Sequence, residues 1–314
     1  MNTFYITLLA VAVLLLAAVA GYVLVKKRTV GEESAASLSK ILLYICQPCL
    51  AVHTFSSATF SRDMVTDVLF FLLLATVIQG VMLLGGVLIL KKKFSECGYR
   101  IFTIAIAFAN CAFFGIPIIE ALLPDIADGL IIFTTLYATV MNILGWTVGS
   151  AIISGSTKII TLKRVFVNPT MIGLAIAILF AALPFTLPAT LADMISITGR
   201  MTTPLSMIIM GMRLATTEWK TVFGTPRAYA AVFAKGILMP LIAFLTVYFI
   251  PLPMSREVMA VFFIITACPT ASIVLNFSEL IGEGQREAAA SVLLSTILSI
   301  VTLPIMMLLL PLLI

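Results

Sequence analysis

Apolar residues fill this chain in ten long blocks, at about 4–25, 36–55, 65–90, 99–122, 129–153, 167–183, 191–213, 228–250, 257–280 and 287–313, separated by short polar stretches. A bilayer crossing takes about 20 apolar residues at about 1.5 Å rise each, so the pattern predicts ten transmembrane helices and leaves almost nothing for a soluble domain. Some blocks are badly suited to an unbroken helix. Phe108 to Glu120 reads FANCAFFGIPIIE, with polar Asn110, permissive Gly115 and Pro117; a proline in a helix interior costs roughly 3 kcal/mol. Ile265 to Ser278 reads ITACPTASIVLNFS, with Cys268, Pro269, Thr270 and Ser272 at its centre. Backbone freed at membrane depth is tolerated only where protein or a water-filled cavity surrounds it, so the two breaks mark the centre of a polar site.

The interruptions come in pairs. The second block carries Pro48, with Gln47 and His53 nearby, and the seventh carries Pro204. Pro48 and Pro204 stand 156 positions apart, and so do Phe113, inside the first break, and Pro269. One offset therefore aligns the second span with the seventh and the fourth with the ninth. The chain reads as two five-helix repeats, residues 1–153 and 167–314, joined by a basic cytoplasmic linker at 154–166. An odd number of spans per repeat turns the second copy upside down. The expected fold is thus an all-α membrane protein of ten transmembrane helices, built as two inverted repeats with crossed broken helices at spans four and nine. That is the architecture of secondary transporters, which hold their substrate between the repeats; ordinary proline kinks are the plain alternative.

Composition agrees: 61% of the residues are hydrophobic and 11% charged, outside the range of a soluble globular domain. The formal net charge of +5 is informative through its placement. Lys26, Lys27, Arg28 and Lys40, then Lys91, Lys92, Lys93 and Arg100, then Lys158, Lys163 and Arg164, then Arg213, Lys220 and Arg227, and finally Arg286 all fall in odd-numbered loops. Even-numbered loops hold Arg62 and Arg256. The positive-inside rule then puts the odd loops in the cytoplasm and both termini outside, as expected of a multi-pass plasma (inner) membrane protein. No basic patch lies beyond these flanks, which excludes a nucleic-acid partner. The first block lacks a basic region ahead of it and is followed by Lys26, Lys27 and Arg28, so it reads as a retained helix and not as a cleaved signal peptide. Five cysteines, mostly within spans, do not read as a disulfide framework.

Several short stretches carry a family likeness: NCAFFGIP at 110–117, LLYICQPCL at 42–50, NPTMIGL from 168, TPLSMIIMG at 203–211 and KGILMPLIAFL from 235. In order and spacing the chain resembles the auxin efflux carrier family, which includes the plant PIN-formed carriers and bacterial malonate-type permeases. The resemblance covers nearly the whole chain. It implies ten spans, two crossed broken helices, a scaffold-plus-transport-domain division shared with bile-acid sodium symporters, and movement of an organic anion by an elevator-like motion. Cys111 and Ala112 depart from it where a Thr-Gly pair often follows the first Asn, as does Ile273 where an Asn often follows the second Pro by four residues.

At each break the restarting half-helix presents unpaired N–H groups and the positive end of its dipole, worth about 0.3–1 kcal/mol to an anion and about 2 when partly buried. That suits a carboxylate. The substrate-binding set expected from the two breaks is Asn110, Cys111, Gly115, Pro117, Cys268, Pro269, Thr270 and Ser272, with the Asn110 amide and the Thr270 and Ser272 hydroxyls as its polar members. For Asn110 the alternative is a helix cap. Arg200 and Lys235 lie inside spans seven and eight and are read as gate or counter-charge, Lys235 alternatively as a snorkelling lysine. By the repeat offset Lys235 corresponds to Gln79. His53, the single histidine, is the residue that could couple transport to protons. Cys46 and Cys49 have no second ligand pair and read as packing thiols, so neither a metal nor a cofactor is expected. The leading expectation is a carrier of a small organic anion in contact with membrane lipid, with H+ or Na+ coupling and a homodimer as open options. The rivals are a sodium-coupled symporter of the bile-acid type and an intramembrane enzyme; the span centres lack the paired catalytic groups an enzyme needs.

Overall fold

The computed structural model describes residues 2–57, 62–182 and 188–314. The turns expected after the second and sixth blocks fall at 58–61 and 183–187, outside the described residues. Among the described residues the chain is helical, and its single extended pairing is an isolated antiparallel bridge between Ala109 and Thr270. Six helices are long and apolar enough to cross a membrane: Thr3–Lys26, Ser34–Ser56, Met64–Lys93, Ala127–Ser154, Pro226–Phe249 and Gln285–Leu312. Shorter apolar helices run over Cys97–Ala107, Cys111–Leu122 and Pro169–Ala181. Leu9, Leu16, Leu69, Leu88, Ile89 and Phe249 point outward and are exposed, a surface that suits lipid and would be unfavourable in water.

The prolines act differently from simple breaks. Three of them follow a π turn: Leu42–Cys46 ahead of Pro48, Cys111–Gly115 ahead of Pro117, and Ala234–Leu238 ahead of Pro240. A proline cannot donate to the carbonyl one turn back, and its ring crowds that carbonyl; one wider turn absorbs both problems while the helix continues. Pro48 therefore sits inside a continuous helix, where the sequence pattern suggested an interruption. In the seventh block the helices Ala189–Arg200 and Thr202–Thr216 meet at Met201, three residues before Pro204. Pro204 lies in the first turn of the second helix, where its missing N–H costs nothing.

The fourth and ninth blocks do come apart. Cys97–Ala107 ends at Phe108, which is extended, and the chain restarts as a helix at Cys111. Arg256–Ala267 ends at Cys268, also extended, and restarts as Ile273–Ile281. The first unwinding thus falls at 108–110, upstream of Gly115 and Pro117. Where the two segments meet, the structure pairs Ala109 with Thr270.

The helices pack as two groups that each draw on both halves of the chain, joined where Thr3–Lys26 also packs on Gln285–Met306. In one, Thr3–Lys26 lies along Thr202–Thr216, while Pro169–Ala182 and Ala189–Arg200 lie against Gln47–Ser57. In the other, Arg62–Leu90 packs on Cys97–Ala107 and Ile132–Leu144, Met239–Phe249 packs on Arg256–Ala267, and Gln285–Met306 packs on Pro226–Phe233, Cys97–Ala107 and Ile273–Ile281. The closest approach within the first group is made through glycine. A Cβ on Gly211 would collide with the Ala18 carbonyl, and one on Gly21 with the Ile208 carbonyl, a small-residue contact of the kind that lets membrane helices touch backbone to backbone. Gly211→Val is expected to destabilise the protein by about 1–3 kcal/mol or more through overpacking. Gly85→Ala, where a Cβ meets nothing within 4 Å, is expected to be neutral. Thermal unfolding of the two purified variants checks the difference.

Candidate functional site

The two unwound segments cross and satisfy one another. Asn110 N donates to Pro269 O at 2.8 Å, and Ala271 N donates to Phe108 O at 3.0 Å. Asn110 has φ −75° and ψ 63°, and Cys111 N donates to Ala109 O at 2.8 Å; together these make an inverse γ-turn centred on Asn110. Thr270 fixes the crossing from the other chain segment. Its Oγ1 donates to Ala105 O at 3.2 Å and its N donates to Ser295 Oγ at 3.1 Å. A Cβ on Gly115 would meet Cys268 Sγ, Ile265 and Thr134 at ordinary contact distance, so the packing there has room for a small side chain.

Three polar-lined cavities between the packing groups bear on the site. The central one, about 90 Å³, is lined from one group by Leu43, Gln47 and Thr170 and from the other by Ala109–Phe113, Ala138, Met141, Asn142, Ala271–Ile273 and Asn276. Both restarting helices begin at its wall. Asn110 is 4% exposed and its Nδ2 has no hydrogen-bond partner, which is costly for a buried amide in a finished site. Asn142 Nδ2 bonds back to Ala138 O at 2.9 Å, and Gln47 Oε1 accepts from Thr170 Oγ1 at 3.3 Å. The lining contains no carboxylate.

A smaller cavity of about 40 Å³ adjoins it, sharing Leu43, Phe113, Ser272 and Asn276 and adding Ser39, Ser206 and Arg213. Here Arg213 bridges the seam: Nη1 donates to Glu279 Oε1 at 2.8 Å and Nη2 reaches Asn276 Oδ1 at 3.5 Å. At the other end of Thr202–Thr216 lies the largest polar-lined cavity, about 220 Å³, walled by His53, Thr54, Glu120, Asp128, Arg200, Thr203, Pro117 and Pro204 among others. Arg200 there stands 3.7 Å from Asp128, with both side chains more than half exposed, so the pair contributes under about 1 kcal/mol. Between this cavity and the central one, Leu50, Ile116 and Ile131 form an apolar cluster with Ala112 packed on it.

The structure thus divides the residues singled out from sequence. Asn110, Cys111 and Ser272 line the central cavity. Pro269 and Thr270 hold the crossing through their backbone or hydroxyl groups, and Gly115 and Cys268 are buried in it; the Thr270 hydroxyl is engaged and does not face the cavity. Pro117, His53, Arg200 and Pro204 gather at the Arg200 end, where the Arg200 side chain is more than half exposed. Pro48 faces neither cavity. Lys235 does not snorkel: it is fully buried, and its Nζ donates to Thr266 O at 2.6 Å. Asn142, Thr170, Arg213 and Asn276 were missed by the sequence reading. Asn and Thr inside apolar spans were the available signal for three of them, while Arg213 was grouped with the loop charges. The five cysteines are free, and the described residues contain no cluster able to hold a metal.

The division makes a stability prediction. Thr270→Val leaves the Ala105 carbonyl without its partner and is expected to cost about 1–3 kcal/mol. Ser272→Ala, at the cavity wall, is expected to leave stability within about 0.5 kcal/mol, both read from thermal or denaturant unfolding.

The chain matches the family described as membrane transport protein over residues 6–307. No curated protein matches it.

Proposed function

The chain belongs to the membrane transport protein family of the auxin efflux carriers and PIN-type permeases, and on that premise we propose that it is a secondary transporter of a small carboxylate. A transport family, not an enzyme family, is the setting for its polar core. One observation carries the substrate class. A buried Asn110 amide donor without a partner stands at a cavity whose lining has no carboxylate and into whose wall two helices begin. Helix starts and free amide donors favour an anion, and Arg213 adds a positive charge next door. A cavity of about 90 Å³ has room for an anion of a few heavy atoms, well below the roughly 300–1,000 Å³ of drug-sized pockets. That favours a compact mono- or dicarboxylate over an aromatic one.

In this reading the chain makes ten crossings in the cytoplasmic membrane with both termini outside. The six continuous spans are completed by Pro169–Ala182 and by three split ones: Cys97–Ala107 with Cys111–Leu122, Ala189–Arg200 with Thr202–Thr216, and Arg256–Ala267 with Ile273–Ile281. The two halves of the sequence are inverted copies, and the antiparallel bridge between Ala109 and Thr270 supports that reading. Alternating access comes from sliding one packing group along the other. The Leu50, Ile116 and Ile131 cluster closes the central cavity from the Arg200 end, and Arg213 with Glu279 ties the seam at the far end.

Purified protein in liposomes, offered labelled malonate and a panel of other carboxylates, tests the proposal. Asn110→Ala is expected to lower uptake by about 10- to 100-fold, the equivalent of one charge-assisted hydrogen bond of about 1.5–3 kcal/mol, with unfolding unchanged. Uptake at the wild-type rate by a folded Asn110→Ala variant would take Asn110 out of the site. Failure of every carboxylate in the panel would end the substrate assignment.

A further inference from the structure

Lys235 is the one fully buried charged side chain of the described residues. It reaches the core from the π turn Ala234–Leu238 that precedes Pro240. Its ammonium meets the carbonyl end of the half-helix Arg256–Ala267, which stops in the middle of the protein.

The last carbonyls of any helix lack N–H partners and carry the negative end of its dipole. In an aqueous setting water would meet them; here each must be met from within. Cys268 Sγ donates to Ile264 O at 3.3 Å, Cys268 N donates to Ile265 O at 3.2 Å, and Lys235 Nζ donates to Thr266 O at 2.6 Å. The corresponding end of Cys97–Ala107 is met by neutral donors: Phe108 N on Ile104 O at 3.3 Å and Thr270 Oγ1 on Ala105 O at 3.2 Å. One break is therefore closed by neutral groups and the other by a full positive charge. The titratable groups that interact with that charge are the thiols of Cys268 and Cys111, and Cys111 also lines the central cavity.

We propose that the ammonium of Lys235 caps the carbonyl end of the second broken helix, and so positions the break and places a positive charge behind the anion cavity. Lys235 is a positioning residue: it touches the helix end, not the substrate. Its consequence for transport rests on the reading of the cavity as a carboxylate site; the helix-end interaction itself does not.

The test uses purified full-length protein in detergent, with thermal unfolding as the readout. Lys235→Ala removes the ammonium and leaves a space of its size, whereas Lys235→Met removes the charge and fills the space. Both are expected to unfold roughly 5 °C or more below wild type, the scale for loss of a charged buried hydrogen bond in a chain of this length. Methylammonium chloride is expected to restore most of the loss in Lys235→Ala relative to tetramethylammonium chloride at the same concentration. It should do nothing for Lys235→Met or wild type. A Lys235→Ala protein as stable as wild type, or equal effects of the two salts on it, would overturn the assignment. Because unfolding is read without substrate, a failure of the carboxylate panel leaves this result standing.

Discussion

Backbone polar groups released inside a membrane protein have to find partners within the fold, since hydrocarbon supplies none. The rest of this structure follows from how that constraint is met. Two helices unwind, and each unwound segment supplies donors and acceptors to the other: Asn110 N to Pro269 O, Ala271 N to Phe108 O, and the Thr270 hydroxyl to Ala105 O. Neither break is tenable alone. Their mutual dependence fixes where the four half-helices start and end, and so where two helix N-termini open onto one cavity and where two carbonyl ends need capping.

The seam between the packing groups converts that fixed point into a path. Along the single helix Ser34–Ser57 the wall passes from Ser39 and Leu43 beside Arg213, through Gln47 at the central cavity, to Leu50 and His53 at the Arg200 end. The facing wall is carried by the crossing itself. Polar groups are few and placed, as expected where every one of them must be offset against lipid-like surroundings. The glycine-mediated contact of Thr3–Lys26 with Thr202–Thr216 makes these two helices a tight unit.

Much of this was legible in the sequence, and the failures have physical causes. Long apolar blocks, with Asn110, Gly115 and Pro117 inside one and Cys268, Pro269, Thr270 and Ser272 inside another, pointed to the breaks and to their meeting. The register was not legible, because prolines alone do not decide where a helix unwinds. Pro48, Pro117 and Pro240 are each absorbed by a π turn, and the unwinding at 108–110 is decided by pairing with a segment some 160 positions away. Side-chain roles were the least legible. Thr270 and Ser272 look alike in sequence, yet the first is engaged in the crossing and the second lines the cavity. Lys235 lies few enough residues from Arg227 to suggest snorkelling, but the π turn directs it to Thr266. Asn142 and Asn276 are single polar residues in apolar helices, and their convergence depends on tertiary packing.

The central claim is that the crossing of the two broken helices creates the anion site. The most direct measurement is an experimental density map of the protein prepared with a transported carboxylate. The account predicts helices interrupted at 108–110 and 268–272, with the carboxylate between Asn110 and Ser272. Continuous helices through either segment, or carboxylate density confined to the cavity beside His53 and Arg200, would contradict it.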